Sequence, residues 1–452
     1  MLSHQQKKAL ALLTVASVIF YSYWNPPFVI LILLSIFFNF YTGNLISSFS
    51  HKASSRLLII GITINILTIA YFKYFNFFMQ IASSIINYPW IDRDIFLPLG
   101  ISFFTFQQIA YLIDAYQNRT TAKSLLEYTL FVTFFPQLIA GPIVHHGDLL
   151  PQFRLKETFQ LHWHSLAHGV ALLAFGLFKK VVLADSFSPW VGATFDASGP
   201  LSALEAWNGA LAYTFQIYFD FSGYSDMALG LGKLFRIRLP ENFASPYQAS
   251  SIGEFWRRWH MTLSRFLKDY LYIPLGGNRR GPFRRYLNLL ITMVLGGLWH
   301  GAAWTFVLWG ALHGFFLVAY HLWEALRARY GLRPLPLGVG WGLTFFAVVV
   351  GWVIFRAPSL ERAGDFFQGM VGFHGMGTVA GALARGTMPG GLGEMGALAG
   401  ALGFCLFFPR STVWCDRHLV TPSWRTGALV VGTALGALLS LTEVSEFLYF
   451  QF

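Results

Sequence analysis

"LITMVLGGLWHGAAWTFVLWGALHGFFLVAYHLW" (residues 290–323) contains no Asp, Glu, Lys or Arg, and the next residue is Glu324. A helix needs about 20 predominantly apolar residues to cross the hydrocarbon core of a bilayer. The stretch therefore divides into membrane segments at 286–299 and 302–324, with His300 where they meet. Similar apolar runs lie near 9–24, 28–47, 57–86, 96–114, 126–143, 165–184, 205–233, 337–355, 394–409 and 425–448. Across all 452 residues, 55% are hydrophobic and only 12% charged, whereas soluble domains carry about 25% charged residues. The pattern predicts an all-α polytopic integral membrane protein of about eleven or twelve transmembrane or re-entrant helices. With Pro136, Gly141 and Pro142, the 126–143 segment reads as broken, which membrane depth tolerates only where protein or a water-filled cavity covers the backbone.

The chain reads as a single membrane domain: N-terminal spans at 1–95, a core at 96–325, and C-terminal spans at 326–452 that include a Gly/Ala-rich flexible loop at 373–404. The N-terminus imitates a signal peptide, with Lys7 and Lys8 before an apolar run. That run ends in Tyr21, Tyr23 and Trp24 with no small-residue cleavage site, so it reads as a retained span. Net charge is +11. In a soluble protein such charge would suggest nucleic acid. Here it collects in short loops, chiefly "NRRGPFRR" (278–285), "HKASSR" (51–56), "NRTTAK" (118–123) and "RARYGLR" (327–333), as cytoplasmic loops do under the positive-inside rule. The partner implied is the lipid bilayer and not nucleic acid, and the N-terminus is placed in the cytoplasm. Cys405 and Cys415 form neither a metal-ligand spacing nor a disulfide framework. There is no Gly-x-Ser-x-Gly elbow, P-loop or His-Glu-x-x-His, so covalent serine, nucleotide and zinc chemistry lack support, and no metal or bound cofactor is expected.

Three places hold polar groups that such a chain must justify. His300, bracketed by Gly296, Gly297 and Gly301, either makes an interhelical hydrogen bond or faces an internal cavity with a function. The glycines permit close helix packing or the approach of a ligand. His313, in "GALHG" one turn after Trp309, has the same alternatives. Asp220 and Asp226, in "QIYFDFSGYSDMA" (216–228), each cost at least about 2.5–3.5 kcal/mol at the bilayer centre. They need partners, such as Arg257 or Arg258, or a water-filled cavity, and can also orient a histidine. "EFWRRWHMTLSRFLKDYLY" (254–272) reads as an amphipathic interfacial helix whose stripe is Phe255, Trp259, Leu263, Phe266 and Tyr270, with His260 at its edge. "PLGGNRRG" (274–281), with Arg279 and Arg280, suits a phosphate or an acidic carrier protein. From these residues alone, acid/base chemistry and transport explain the chain equally well.

"EFWRRWHMTLSRFLKDYLYIPLGGNRRG" paired with "LLITMVLGGLWHGAAWTFVLWGALHG" resembles the membrane-bound O-acyltransferase family, in its alginate O-acetyltransferase branch. The D-alanyl transfer proteins of teichoic acid modification are more distantly similar. "FFPQLIAGPIVHHGDLLPQF" (134–153) and "FDFSGYSDMALGLGKLFRIRLPENFASPY" (219–247) fit the same branch, so the resemblance covers most of 95–325. It implies helices around a central funnel or tunnel in a bacterial inner membrane. It further implies an acyl-thioester donor from the cytosol, acetyl-CoA or an acyl carrier protein, and a periplasmic partner protein that passes acetyl groups to an exopolysaccharide. His300 matches the family's signature histidine and His260 its second polar position.

Acyl transfer to a hydroxyl needs a base for the hydroxyl proton and a donor for the oxyanion. His300 is thus expected as general base, with His260 orienting the thioester or steadying the oxyanion. His313, Asp220, Asp226, Arg257, Arg258, Trp299 and Trp304 support or line the site, and Arg279 and Arg280 contact the donor's carrier. Trp299, Trp304 and Trp309 would narrow the passage to an acetyl-sized group. D-alanyl transfer is the alternative chemistry. The alternative of another class is a transporter or scaffold that moves an acyl group or glycan without catalysing transfer.

Overall fold

With no water to satisfy exposed N–H and C=O groups, a bilayer admits helices or closed barrels, and the computed structural model of this chain is helical. It describes residues 4–119, 122, 124–421, 423–441 and 448, with no strand among them. Among the described residues, five helices are long and apolar enough to cross a membrane: Pro27–Ser48, His51–Ile86, Trp163–Phe195, Trp304–Tyr330 and Leu337–Arg356. Leu392–Phe407 and Ser411–His418, bent by 58°, make a sixth if they form one span. His4–Trp24, Ala203–Leu234 and Gly281–His300 are long helices that carry charged residues. The expected eleven or twelve therefore includes segments more polar than a plain span. Residues 120, 121 and 123 of the basic stretch 118–123, and 442–447 of the last apolar segment, lie outside the described residues.

The chain divides into two compact units, residues 1–173 with 227–241, and residues 174–226 with 242–452. In the first, Gly43 lies against the Tyr111 ring, and a Cβ at Gly61 would come within 2.7 Å of Leu112. Asn39 and Asn65 pair through their amides at 2.7 and 3.2 Å, which satisfies two polar side chains buried between spans. The 126–143 segment is broken as expected. Helix Leu125–Thr133 ends at Phe134, a short turn Phe135–Leu138 follows, and the Gln137 amide donates back to the Phe131 carbonyl at 2.8 Å.

The second unit is built on Ala203–Leu234, Gly281–His300, Trp304–Tyr330 and Leu337–Arg356. Gly281–His300 and Trp304–Tyr330 form a hairpin whose backbones nearly touch. A Cβ at Gly297 would lie 3.0 Å from Gly310, and one at Gly314 would lie 2.8 Å from Leu290. Of the glycine's two expected uses, this is helix packing.

Two expectations are corrected here. The 254–272 segment is not one interfacial helix. It comprises Ile252–Arg258, Met261–Leu267 and a π-helical turn Lys268–Tyr272, broken at His260. Phe255, Trp259, Leu263 and Phe266 are buried in protein, so the apolar stripe feeds a core and not the headgroup layer. Nor is 373–404 a loose loop. It carries helix Val379–Ala384 and the start of Leu392–Phe407. Arg385 clasps Glu205 at 2.6 and 3.0 Å, Asn208 holds Glu394 at 2.6 Å, and the carbonyls of Gly375 and Met376 accept from Ala203 and Leu204. Low side-chain complexity hid this, because backbone groups and a few long polar residues do the tying.

Candidate active site

His260 sits in the left-handed region, φ 42° and ψ 53°. For a residue with a Cβ this costs about 1–3 kcal/mol and persists only where the surroundings impose it. Asn242 imposes it. The Asn242 carbonyl accepts from the Met261 N–H at 3.0 Å, and the Ala244 N–H donates to the Arg258 carbonyl at 2.9 Å. The side chain of Asn242 then fixes the chemistry. Its Oδ1 receives the Thr262 backbone N–H at 3.4 Å and the Thr262 hydroxyl at 2.9 Å, while its Nδ2 donates to Ser225 Oγ at 3.4 Å. A backbone N–H only donates, so the atom facing it is the oxygen. That oxygen also lies 3.0 Å from His260 Nδ1, so Nδ1 carries the proton and Nε2 is a proton acceptor.

A neutral His260 in this tautomer has no N–H at Nε2. The group that faces its Nδ1 is an amide, and not Asp220 or Asp226. Asn242 was overlooked in the sequence. It stands within the "PENFASPY" stretch, but nothing local sets it apart from a turn residue.

His300 ends helix Gly281–His300, is 5% exposed, and its ring centroid lies 6.4 Å from that of His260. Trp299 lies 5.0 Å from it, while Trp309 and Phe355 stand edge-on at 5.2 Å. Phe221 packs edge-on to His260 at 4.7 Å. Two imidazoles thus lie close together, buried among aromatic rings. Trp304 is not part of the wall. At the first position of its helix it is 54% exposed, whereas Trp352, stacked on Trp309 at 5.9 Å, occupies that place. His313 is fully buried one turn beyond Trp309, 4.9 Å from its ring and 5.3 Å from that of Trp256. Among the described residues neither of its ring nitrogens has a hydrogen-bond partner, so the interhelical bond considered for it is not made.

The aspartates are paired by lysines and not by Arg257 or Arg258. Asp226 binds Lys179 at 2.6 Å and the Ser411 hydroxyl at 2.6 Å. Asp220 binds Lys180 at 2.8 Å, and Lys180 also reaches Asp185 at 2.7 Å. Lys179 and Lys180 begin a π-helical turn, Lys179–Ala184. These five charges form a structural brace. Lys179 and Lys180 sit in an apolar run, where sequence reading passed over them. Arg258 instead pairs with Glu254 at 2.7 Å. Burial works against the Glu254 charge, but the Ser250 backbone N–H and hydroxyl and the Arg258 guanidinium outweigh it and hold the carboxyl below its usual range.

Near this segment a cavity of about 480 Å³ is lined by Ser250, Ile252, Phe316, Tyr320, Trp323, Glu324 and Leu343, among others. Phe316 and Tyr320 share a helix with His313 and Trp309. Arg257 and Arg285 lie within electrostatic reach of His321, and Arg285 is hydrogen-bonded to it at 3.0 Å. Arg279 and Arg280 are exposed on the turn before helix Gly281–His300.

Comparison with known proteins follows this geometry. The membrane-bound O-acyltransferase family model matches residues 18–357. The chain is 44% identical to a peptidoglycan O-acetyltransferase of Helicobacter pylori over 390 residues, 80% of this chain and 74% of that protein. It is 44% identical to a probable alginate O-acetylase, AlgI, of Azotobacter vinelandii over 379 residues, 82% and 74% of the two. Identity to a teichoic acid D-alanyltransferase of Streptococcus thermophilus is 29% over 280 residues, 57% and 68% of the two. The chain belongs to the membrane-bound O-acyltransferase family.

Proposed function

We propose that this member of the membrane-bound O-acyltransferase family is an O-acetyltransferase of a bacterial inner membrane, moving acetyl from a cytosolic thioester toward a cell-surface polysaccharide. The observation that carries the reading is the His260–His300 pair, 6.4 Å apart and buried among aromatic rings, within the span that the family model matches. Acetyl as the group, with a polysaccharide as acceptor, is supported by the relatives at 44% identity. D-alanyl transfer draws on relatives at 29% and 24% identity.

In this mechanism the acceptor hydroxyl lies between the two rings. His300 takes the hydroxyl proton as the oxygen attacks the thioester carbonyl. His260, fixed by Asn242, lies beside the thioester and orients it. The C–S bond then breaks, and the thiolate leaves with the proton returned from His300. No covalent enzyme intermediate is required. The donor is acetyl-CoA or an acetylated carrier protein, used as substrate. Its acyl arm enters from the 480 Å³ cavity along the Tyr320–Phe316–His313–Trp309 face, a path of about 16 Å at 1.5 Å per helical residue. Arg257, Arg279, Arg280 and Arg285 hold the charged carrier end. The acceptor comes from the periplasmic side, where a partner protein passes the acetyl group on to the polysaccharide.

The test uses purified protein, a radiolabelled acetyl thioester and a soluble oligosaccharide acceptor. Label appearing on acceptor hydroxyls supports the enzyme. Label that crosses reconstituted vesicles without joining the acceptor supports transport alone and rejects it.

A further inference from the structure

The aromatic cluster around the histidine pair holds a buried hydrogen-bond donor that acyl transfer by the two histidines leaves unused. Trp309 is 1% exposed, and its indole N–H has no hydrogen-bond acceptor among the described residues. Buried polar groups are paired in the great majority of cases, and a buried tryptophan usually finds an acceptor for its N–H. Two neighbouring tryptophans follow that rule. Trp352 donates to the Tyr247 hydroxyl at 3.2 Å, and Trp341 donates to the Tyr247 carbonyl at 2.9 Å. Trp309 departs from it beside the reacting group, its ring 5.2 Å from that of His300 at an interplanar angle of 88°. The unpaired atoms also cluster. Both nitrogens of His313, 4.9 Å from Trp309, lack partners, as does the indole nitrogen of Trp256, 5.3 Å from His313.

We infer that Trp309 is a catalytic residue, whose indole N–H binds the thioester carbonyl oxygen and steadies the oxyanion formed from it. The inference rests on the acetyl-transfer reading and fills the vacancy that the tautomer of His260 creates. With Nδ1–H committed to Asn242, neutral His260 donates nothing to an oxyanion. Trp309 is held rigidly by Trp352, stacked at 5.9 Å, and by Phe355, edge-on at 5.1 Å, so the donor is in place before the charge appears.

The step balances. The hydroxyl oxygen bonds to the carbonyl carbon, its proton passes to His300, and the C=O electron pair moves onto oxygen, where Trp309 Nε1–H donates to it. That pair then re-forms C=O as C–S breaks and the thiolate takes the proton from His300. His313, between Trp309 and the cavity side of the helix, is a second polar contact for the acyl arm as it passes.

The experiment compares wild type, Trp309→Phe and Trp341→Phe in detergent, with an acetyl thioester and an oligosaccharide acceptor. Trp309→Phe should lower kcat by about 10²–10³, the usual loss of one oxyanion donor. KM for the thioester should stay within about threefold, since the bond is strongest in the transition state, and the shape of the pH profile should not change. Trp341→Phe, which loses an indole N–H already used in packing, should keep kcat. If Trp309→Phe fails to fold, benzothienylalanine at 309 removes the N–H while keeping the ring shape, and the same fall is expected. Either folded variant turning over at the wild-type rate overturns the inference and leaves the acetyl-transfer reading standing. Absence of transfer by wild type overturns both.

Discussion

At the scale of single residues, the proposed site turns on how Asn242 holds His260. Asn242 acts through His260, so it is a positioning residue, and its variants divide two effects. Asn242→Asp keeps an acceptor facing Nδ1 and should keep most activity. Asn242→Leu frees the ring to take the other tautomer and should lower kcat by about 10–100-fold with a changed pH profile. Comparable pH–rate curves for both variants would show that the tautomer is not set by this residue. The burial of His300 was legible from sequence because it stands in an uncharged apolar run. Asn242 was not, because its importance comes from a contact with Thr262 and His260 across some 20 residues of chain, with no local pattern to mark it.

Among the helices, the same contrast between local pattern and tertiary partner explains what could be read. The Gly297/Gly310/Gly314 contact announces itself as small residues on helix-period spacing. Gly310→Leu should therefore separate the hairpin and leave little folded protein on fluorescence size exclusion, whereas Gly342→Leu, with open space around its Cβ position, should fold normally. Equal yields would mean that the hairpin tolerates separation. The 254–272 stripe was correctly seen as apolar, but periodicity cannot tell a membrane interface from a protein core, nor foresee a break imposed on His260 by Asn242. The charged brace was half legible. The aspartates stood out, but their lysines did not, since a long apolar stem lets a lysine sit within a hydrophobic run. Lys179→Met leaves Asp226 buried without its main charge partner, a change that typically costs about 3–5 kcal/mol. Its thermal midpoint in detergent should fall well below that of wild type, and an unchanged midpoint would show that Ser411 alone suffices for Asp226.

At the scale of the whole molecule, a basic end, a cavity and the two-histidine pair make up the proposed route for a small acyl group. If the 278–285 loop is cytoplasmic, a lone cysteine at Asn278 should resist an impermeant thiol reagent in intact cells and react after lysis. Labelling in intact cells would reverse the proposed donor side. The packed walls of Trp299, Trp309, Trp352 and Phe355 should favour acetyl over long-chain donors when both compete, and equal use of the two would reject a narrow passage. All-helical membrane architecture and family were legible from hydropathy and a few long motifs. The ordered 373–404 segment was not, because glycine-rich sequence carries no periodicity to reveal its clasp on Glu205 and Asn208. The central claim is that His300 takes the acceptor proton. The measurement that tests it most directly is single-turnover acetyl transfer by purified wild type and His300→Ala at matched folded concentration. The account predicts a fall of about 10²–10⁴ in the transfer rate with thioester binding retained, and transfer by His300→Ala at the wild-type rate would contradict it.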